Sequence, residues 1–204
     1  MPTYKYIYFD VRGRGEIVRL CFHAAGVKFE DVRIELSAWP GKNREASPFG
    51  QLPYLEIDGK KIAQSIAIAQ YIAREYGLYG TNSLENLSID SVVGLTQDYF
   101  NLWAKANFEK DASRKTELQT KLKGEDLPKL LQQLEKLLTE NKTEYFVGKK
   151  LTLADLAVHC TLDNSFRDFP DMYTKYPQVV NNRKKVGSQP KLAAYLSSRK
   201  ATEL

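Results

Sequence analysis

The sequence pattern of this chain changes near residue 80. Before it, short runs rich in Tyr, Ile, Val and Phe alternate with a segment whose apolar residues recur at helical spacing. From Ser83 onward the strand-like runs stop, and long amphipathic patterns take their place. The polar stretch 79–82 between them is of the kind that links domains. The 204 residues therefore predict two domains, 1–79 and 83–204.

The first domain has the pattern of a mixed α/β unit. A helix from Ile17 ends at Gly26, which can supply a left-handed cap, and a helix from Ile66 has Ser65 as its predicted cap. Asp58-Gly59 is a hairpin signal, because both residues accept positive φ. The order β-α-β, long loop, β-β-α predicts a thioredoxin-like domain. Its expected strands are 3–9, 29–34, 54–57 and 61–63, and its second helix is 66–76.

The second domain is predicted to be all-helical, which makes the fold class α/β plus all-α. Thr152 and Asp155 have the spacing of a capping box, so Asp155 is assigned a folding role and not a catalytic one. Pro190 is expected to break the last pattern. The amphipathic patterns cover 89–108, 115–138, 153–166 and 179–196.

Charge and cysteine usage exclude several function classes. The 30 basic and 25 acidic residues are interspersed, and the densest basic run, 183–185, is too short to predict nucleic-acid binding. Cys21 and Cys160 lie far apart, without a CxxC pair or a histidine at metal spacing, so neither a disulfide framework nor a zinc site is expected. No window approaches the roughly 20 apolar residues of a membrane span, so a cytoplasmic protein without a membrane partner is expected.

Tyr8 is the first candidate catalytic residue. It lies near the end of the first strand, before a glycine-bearing turn into a helix, where backbone N–H groups and the helix dipole can stabilise a thiolate. The turn reads Val-Arg-Gly-Arg at 11–14 and has no cysteine pair, so a thiolate bound there would belong to a ligand. Position 18 is Val where a dinucleotide fingerprint needs its third glycine, which argues against nucleotide binding. A strand tyrosine that only packs is the alternative.

Two further stretches could bind a peptide-like ligand. Pro53 precedes a strand, and a cis Leu52–Pro53 bond would let the Leu52 backbone pair with a bound peptide. Gln64 and Ser65 stand at a helix start, where free N–H groups and a hydroxyl can hold a carboxylate. An ordinary loop proline and a simple cap are the respective alternatives.

Taken together, these motifs resemble the cytosolic glutathione transferases, and most closely the sigma class, over essentially the whole chain. The resemblance rests on Tyr8, Arg14, Trp39-Pro40, the run 48–53, Asp58-Gly59, the run 64–68 and the run 151–156. It implies that glutathione is the co-substrate, that Tyr8 activates its thiol and that Arg14 supports Tyr8. It further implies glutathione contacts from Trp39, from Lys42 or Arg44, from Gln51, Leu52 and Pro53, and from Gln64 and Ser65.

The same resemblance implies a homodimer in which Asp98 of one subunit reaches the glutathione of the other. It places a hydrophobic electrophile against Phe9, Val11, Tyr99, Trp103 and Lys105. Gly94 and Gln97 stand where a metal-activated relative has acids, so no metal is expected. The expected function is conjugation of glutathione to hydrophobic electrophiles in detoxification. The alternatives are a glutathione-dependent isomerase of the prostaglandin D synthase type and a non-catalytic crystallin-like protein.

Overall fold

The structure is a computed structural model that describes residues 2–39, 41–200 and 202. Its internal contacts divide the chain into two compact units, Met1–Tyr79 with Gly187–Leu204, and Gly80–Val186. The sequence pattern assigns 187–204 to the helical domain, whereas the structure groups these residues with the first unit. Pro40, part of the resemblance described above, lies outside the described residues.

The first unit contains a four-stranded mixed sheet with the strand order β2-β1-β3-β4. β1 pairs in parallel with β2 and antiparallel with β3, and β3 pairs antiparallel with β4. The predicted hairpin between β3 and β4 is confirmed, with φ of 47° at Asp58 and 86° at Gly59. The strands are β1 Tyr4–Phe9, β2 Glu30–Ile34, β3 Tyr54–Ile57 and β4 Lys60–Ala63.

The α-helices among the described residues before Gly80 are α1 Glu16–Ala25, α2 Lys42–Ala46 and α3 Ser65–Glu75, of which the sequence predicts α1 and α3. Gly26 closes α1 in the left-handed conformation, as predicted. The short α2 interrupts the segment expected to be a loop. The prediction that Ser65 caps α3 is wrong: Ser65 is the first helical residue, and Gln64 occupies the cap position with φ of 80°.

The second unit is all-helical, as predicted, although two of the expected helices are divided. The pattern 115–138 is divided by a π-helix at Leu122–Asp126, and the pattern 153–166 is broken at Leu162. The helices are α4 Ser83–Asn107, α5 Ala112–Lys121, α6 Leu127–Asn141, α7 Leu153–Thr161, α8 Asp163–Asp168 and α9 Pro177–Gly187. No helix in the described part of the chain is long and apolar enough to cross a membrane.

The capping box at the start of α7 is confirmed, and Asp155 is fully buried. Its Oδ2 accepts hydrogen bonds from the backbone N–H and the hydroxyl of Thr152, at 2.8 and 2.9 Å. Its Oδ1 accepts from the Phe146 N–H at 3.0 Å and from the Asn182 amide at 2.8 Å. Asp155 therefore joins α7 to α9 and to the segment before α7.

The last helix, α10 Pro190–Ser198, begins at the proline that the sequence predicts as a break. α10 packs against α1 in the first unit. The ring of Tyr195 stacks on His23 with 4.0 Å between centroids. This packing explains why the C-terminal residues group with the sheet.

Candidate functional site

Tyr8 lies next to the last residue of β1, and its side chain is buried. Its hydroxyl oxygen accepts a hydrogen bond from the backbone N–H of Arg14, at 3.1 Å. Among residues 2–39, 41–200 and 202, the structure shows no acceptor for the hydroxyl proton. The sequence thus correctly places Tyr8 beside the turn, and the turn orients the hydroxyl so that its proton is available to a ligand.

Gly13 lets the turn approach Tyr8 closely. Its φ is +35°, and a Cβ at this position would lie 2.7 Å from the Tyr8 hydroxyl oxygen. Burial raises the pKa of the Tyr8 hydroxyl above its ordinary value, although the Arg14 N–H and the charge of Arg19 oppose this effect. Tyr8 is therefore a neutral hydrogen-bond donor at physiological pH.

A fully buried guanidinium, that of Arg19, holds the turn from behind. Its Nη1 donates to the Val11 carbonyl at 2.7 Å, and its Nη2 donates to the Phe9 carbonyl at 3.1 Å. Its Nε lies 3.1 Å from the Asp31 carboxylate, and its Nη1 lies 3.7 Å from that of Glu16. The guanidinium carbon is 5.6 Å from the centre of the Tyr8 ring. Arg19 thus fixes the backbone on both sides of Asp10, immediately after Tyr8.

The C-terminal segment also reaches this turn. The buried Glu16 carboxylate accepts from the Tyr195 hydroxyl at 3.0 Å and from the Arg199 guanidinium at 2.9 Å. Lys200 pairs with Asp10. Sequence reasoning missed these contacts because they join residues nearly the whole chain length apart. The only local signal is a pair of charged residues, Glu16 and Arg19, within an otherwise apolar stretch of α1.

The start of α3 has the properties expected of a carboxylate site. Gln64 is exposed, has positive φ and makes no side-chain cap, so the first N–H groups of α3 are not capped by a side chain. The Ser65 hydroxyl has no hydrogen-bond partner in the described part of the chain. The Leu52–Pro53 peptide bond is cis, as the sequence suggested, and Gln51 beside it is exposed.

The segment around α2 carries the two candidate loop cations, Lys42 and Arg44, and both are exposed. Of the two, Arg44 has a side chain that lies over Gly50, next to Gln51. Asn43 instead donates to the Ala38 carbonyl at 2.7 Å and so stabilises its own loop. The half-buried Trp39 packs edge-on against Phe9, with 5.4 Å between ring centres.

The predicted electrophile residues of α4 do not lie on one face. Tyr99 and Trp103, four residues apart, line a cavity within the second unit. Lys105 is exposed elsewhere on the helix and is not part of that wall. Asp98 is exposed and makes no ion pair with any described residue. No group of three potential metal ligands occurs among the described residues.

Two family models match the chain. The model for the N-terminal domain of glutathione S-transferases matches residues 4–74, which hold the sheet, Tyr8 and the start of α3. The model for the C-terminal domain matches residues 97–199. The chain belongs to the glutathione S-transferase family. The N-terminal domain of this family member is thioredoxin-like, and an all-helical domain follows it, as predicted.

Individual members of the family are similar to the chain over its full length. It is 37% identical over 205 residues to S-crystallin SL11 of Nototodarus sloanii, with 99% of each chain covered. It is 38% identical over 204 residues to hematopoietic prostaglandin D synthase of Gallus gallus, with both chains fully covered. The crystal structure of monomeric Na-GST-3, a glutathione S-transferase of Necator americanus, matches with a TM-score of 0.88 at 35% identity, covering 99% of this chain and 100% of the other.

Proposed function

We propose that this chain is a sigma-class glutathione S-transferase that conjugates glutathione to hydrophobic electrophiles, with Tyr8 as the residue that activates the thiol. The observation that carries the proposal is the orientation of the Tyr8 hydroxyl. Its oxygen accepts from the Arg14 N–H, so its own proton is left to donate to a bound sulfur. A detoxifying role in the cytoplasm belongs to this proposal.

The energetics of one such hydrogen bond are sufficient for activation. A free thiol has a pKa of about 8.5, and lowering it by one unit requires about 1.4 kcal/mol of preferential stabilisation of the thiolate. A hydrogen bond to a charged partner contributes about 1.5–3 kcal/mol. Donation from Tyr8 would thus lower the thiol pKa by about one to two units, which makes much of the bound glutathione thiolate at neutral pH.

The remaining contacts to glutathione follow the sheet edge and the start of α3. The Ser65 N–H and hydroxyl, with the exposed Gln64, would hold the γ-glutamyl carboxylate. Leu52 would pair through its backbone with the cysteinyl residue, flanked by Gln51 and Pro53. Trp39 and a cation of α2 would meet the glycyl carboxylate.

For that cation we favour Arg44 over Lys42. The Arg44 side chain lies over Gly50 and so points toward the segment that would bind the peptide, whereas Lys42 makes no such contact with the residues that the structure describes. Arg14 is proposed to support Tyr8 through its backbone N–H and its positive charge, which both favour negative charge near the Tyr8 oxygen. Phe9 and Val11 remain the proposed electrophile contacts from the first unit, with Lys105, Tyr99 and Trp103 from α4.

The homodimer expected from the resemblance is also a proposal, since a family member of known structure is monomeric. Support comes from one exposed face of α4. It carries Leu84 and Leu87, 72% and 62% exposed, then Gly94, and then Asp98. An apolar stripe that ends in an unpaired acid suits a second copy whose glutathione offers an ammonium group. Light scattering of the protein beside Leu87→Asp tests it: a dimer that the substitution dissociates supports the proposal, and a wild-type monomer refutes it.

The catalytic proposal is tested by the rate of glutathione conjugation to chlorodinitrobenzene in the wild type, Tyr8→Phe and Tyr4→Phe. Tyr4 is a matched control, because it lies on the same strand but its hydroxyl contacts Tyr76 at 2.9 Å. We expect Tyr8→Phe to lower turnover about tenfold or more, the kinetic equivalent of one charged hydrogen bond. Tyr4→Phe should leave turnover within about twofold, since a change of that size is only about 0.4 kcal/mol. Equal turnover in all three proteins would rule out Tyr8 as the activator.

The two alternatives have distinct outcomes. A crystallin-like protein would show no conjugation and would not be retained by a glutathione resin. An isomerase of the prostaglandin D synthase type would bind the resin and rearrange its substrate without net consumption of glutathione. Measuring glutathione consumption and product together separates these cases from a transferase.

A further inference from the structure

The turn that orients Tyr8 is closed by backbone hydrogen bonds. The N–H groups of Gly15 and Glu16 both donate to the Arg12 carbonyl, at 3.1 and 2.9 Å. The Arg14 N–H lies between these residues and donates to the Tyr8 hydroxyl oxygen at 3.1 Å. The position of this N–H group therefore depends on where the two ends of the turn, Arg12 and Glu16, are held.

Both ends of the turn are held by the C-terminal segment. At one end, Arg12 donates through Nε to the Thr202 hydroxyl at 3.2 Å and through Nη2 to the Thr202 carbonyl at 2.6 Å. At the other end, the Glu16 carboxylate accepts from Arg199 at 2.9 Å and from the Tyr195 hydroxyl at 3.0 Å. All of these residues belong to the first unit. The turn is thus tied at two points to residues far away in the sequence.

The contact at Glu16 is a shielded ion pair. The Glu16 side chain is 3% exposed and that of Arg199 is 16% exposed. Arg19, on the same helix, lies farther from the carboxylate, at 3.7 Å, and is shared with Asp31. A buried carboxylate is unfavourable unless it is paired and hydrogen-bonded. Loss of Arg199 would therefore drive the Glu16 carboxylate toward water and displace the first residue of α1.

The turn has little room for such a displacement. A Cβ at Gly15 would lie 2.1 Å from a carbon of the Tyr8 ring, so the backbone of the turn rests directly on this ring. The hydrogen bond from the Arg14 N–H, at 3.1 Å, is near the upper end of the usual range, which extends to about 3.2 Å. A small shift of Glu16 would therefore weaken the contact that orients the Tyr8 hydroxyl.

We propose that Arg199 is a positioning residue for activation of the glutathione thiol. By pairing with Glu16 it fixes the turn, and the turn keeps the Tyr8 hydroxyl directed at the sulfur. Arg199 acts through Glu16 and needs no contact with glutathione. The inference rests on the proposed role of Tyr8 and adds that this role requires the C-terminal segment.

The pH dependence of conjugation tests the proposal. It is measured as kcat/KM for chlorodinitrobenzene at saturating glutathione, so that its midpoint reports the pKa of the bound thiol. In Arg199→Met we expect the midpoint to rise by about half a pH unit, which lowers the rate about threefold at pH values well below the midpoint. The KM for glutathione should stay within about twofold, because the proposed glutathione contacts are unchanged.

This profile separates positioning from a merely structural role. A variant that is only partly unfolded loses the same fraction of its rate at every pH, and its midpoint does not move. An unshifted midpoint in Arg199→Met would therefore overturn the proposal. Arg199→Lys retains a cation opposite Glu16 and should recover most of the shift. Tyr195→Phe keeps the ring stacked on His23 and removes only a donor to Glu16. It should shift the midpoint in the same direction, and it tests the same route if Arg199→Met does not fold.

Lys191→Met is the matched control. Lys191 is an exposed cation on the same helix, α10, and it contacts the other end of α1 through the Ala25 carbonyl, at 3.3 Å. Its loss should leave the midpoint at the wild-type value. A shift equal to that of Arg199→Met would assign the effect to the general packing of α10 on α1 and contradict the proposal.

Combination with Tyr8→Phe separates failure of this inference from failure of the proposed function. Arg199→Met should shift the midpoint no further in Tyr8→Phe, because it acts through the hydroxyl that this variant lacks. An equal shift in both backgrounds would overturn the inference and leave Tyr8 as the activator. Wild-type turnover in Tyr8→Phe itself would refute the proposed function and this inference together.

Discussion

Substitution of the buried Arg19 by Met measures how strongly the turn after Tyr8 is held. The Arg19 side chain is 0% exposed, and it pairs with the Asp31 and Glu16 carboxylates while donating to two backbone carbonyls. Removing one partner of a buried ion pair costs about 3–5 kcal/mol. Asp31 keeps a second cation, Arg33 at 2.8 Å, and Glu16 keeps Arg199, so the lower end of that range is expected.

A loss of about 3 kcal/mol should lower the Tm by about 6–12 °C, because each kcal/mol shifts a chain of this size by about 2–4 °C. Differential scanning calorimetry of Arg19→Met beside Arg33→Met measures the effect. Arg33 contacts the same Asp31 carboxylate, but its side chain is 30% exposed, and its loss should cost about 1 kcal/mol or less. Equal unfolding temperatures of the two variants would show that the buried Arg19 guanidinium does not hold the turn.

Three more substitutions test separate parts of the structure. Gly13→Ala should lower turnover about tenfold or more, because the new Cβ would displace the Tyr8 hydroxyl from its hydrogen-bonding position. Circular dichroism should show an intact fold. Unchanged turnover would contradict the close approach of Gly13 to Tyr8. Asp155→Ala should lower the free energy of unfolding, measured in urea, by about 3 kcal/mol or more, since it leaves two buried backbone N–H groups without an acceptor. A decrease of less than about 1 kcal/mol would show that this carboxylate is dispensable for stability. Arg44→Gln should raise the KM for glutathione several-fold while the matched Lys42→Gln does not, and the reverse result would reassign the loop cation.

The sequence predicted the elements of the first unit because their signals are local. The hairpin at Asp58-Gly59, the glycine that ends α1 and the start of β3 after Pro53 each depend on the conformational preferences of one or two residues. The five-residue α2 could not be recognised, because it is too short to show a helical period. The assignment of Ser65 as a cap failed for a related reason: the chain reaches α3 through positive φ at Gln64, which no preference of glutamine predicts.

Long-range contacts set the limit of prediction for the site. The sequence identified Tyr8 and the glycine-bearing turn, but not Arg19 or Glu16, whose burial depends on Asp31 and on a helix more than 170 residues away. The same limit applies to the C-terminal helix: its amphipathic pattern reveals an apolar face but not which unit covers that face. On α4, Tyr99 and Trp103 line a cavity but Lys105 does not. Residue spacing alone does not show which face of a helix meets a cavity.

The pKa of the thiol of enzyme-bound glutathione, read from the ultraviolet absorbance of the thiolate as a function of pH, tests whether Tyr8 stabilises the thiolate. We expect a bound thiol pKa about one to two units below the free value of about 8.5 in the wild type, and a return close to that value in Tyr8→Phe. Because burial raises the pKa of Tyr8 itself, its hydroxyl should remain protonated throughout this titration. A lowered thiol pKa that persists in Tyr8→Phe would contradict the account, since another group would then stabilise the thiolate.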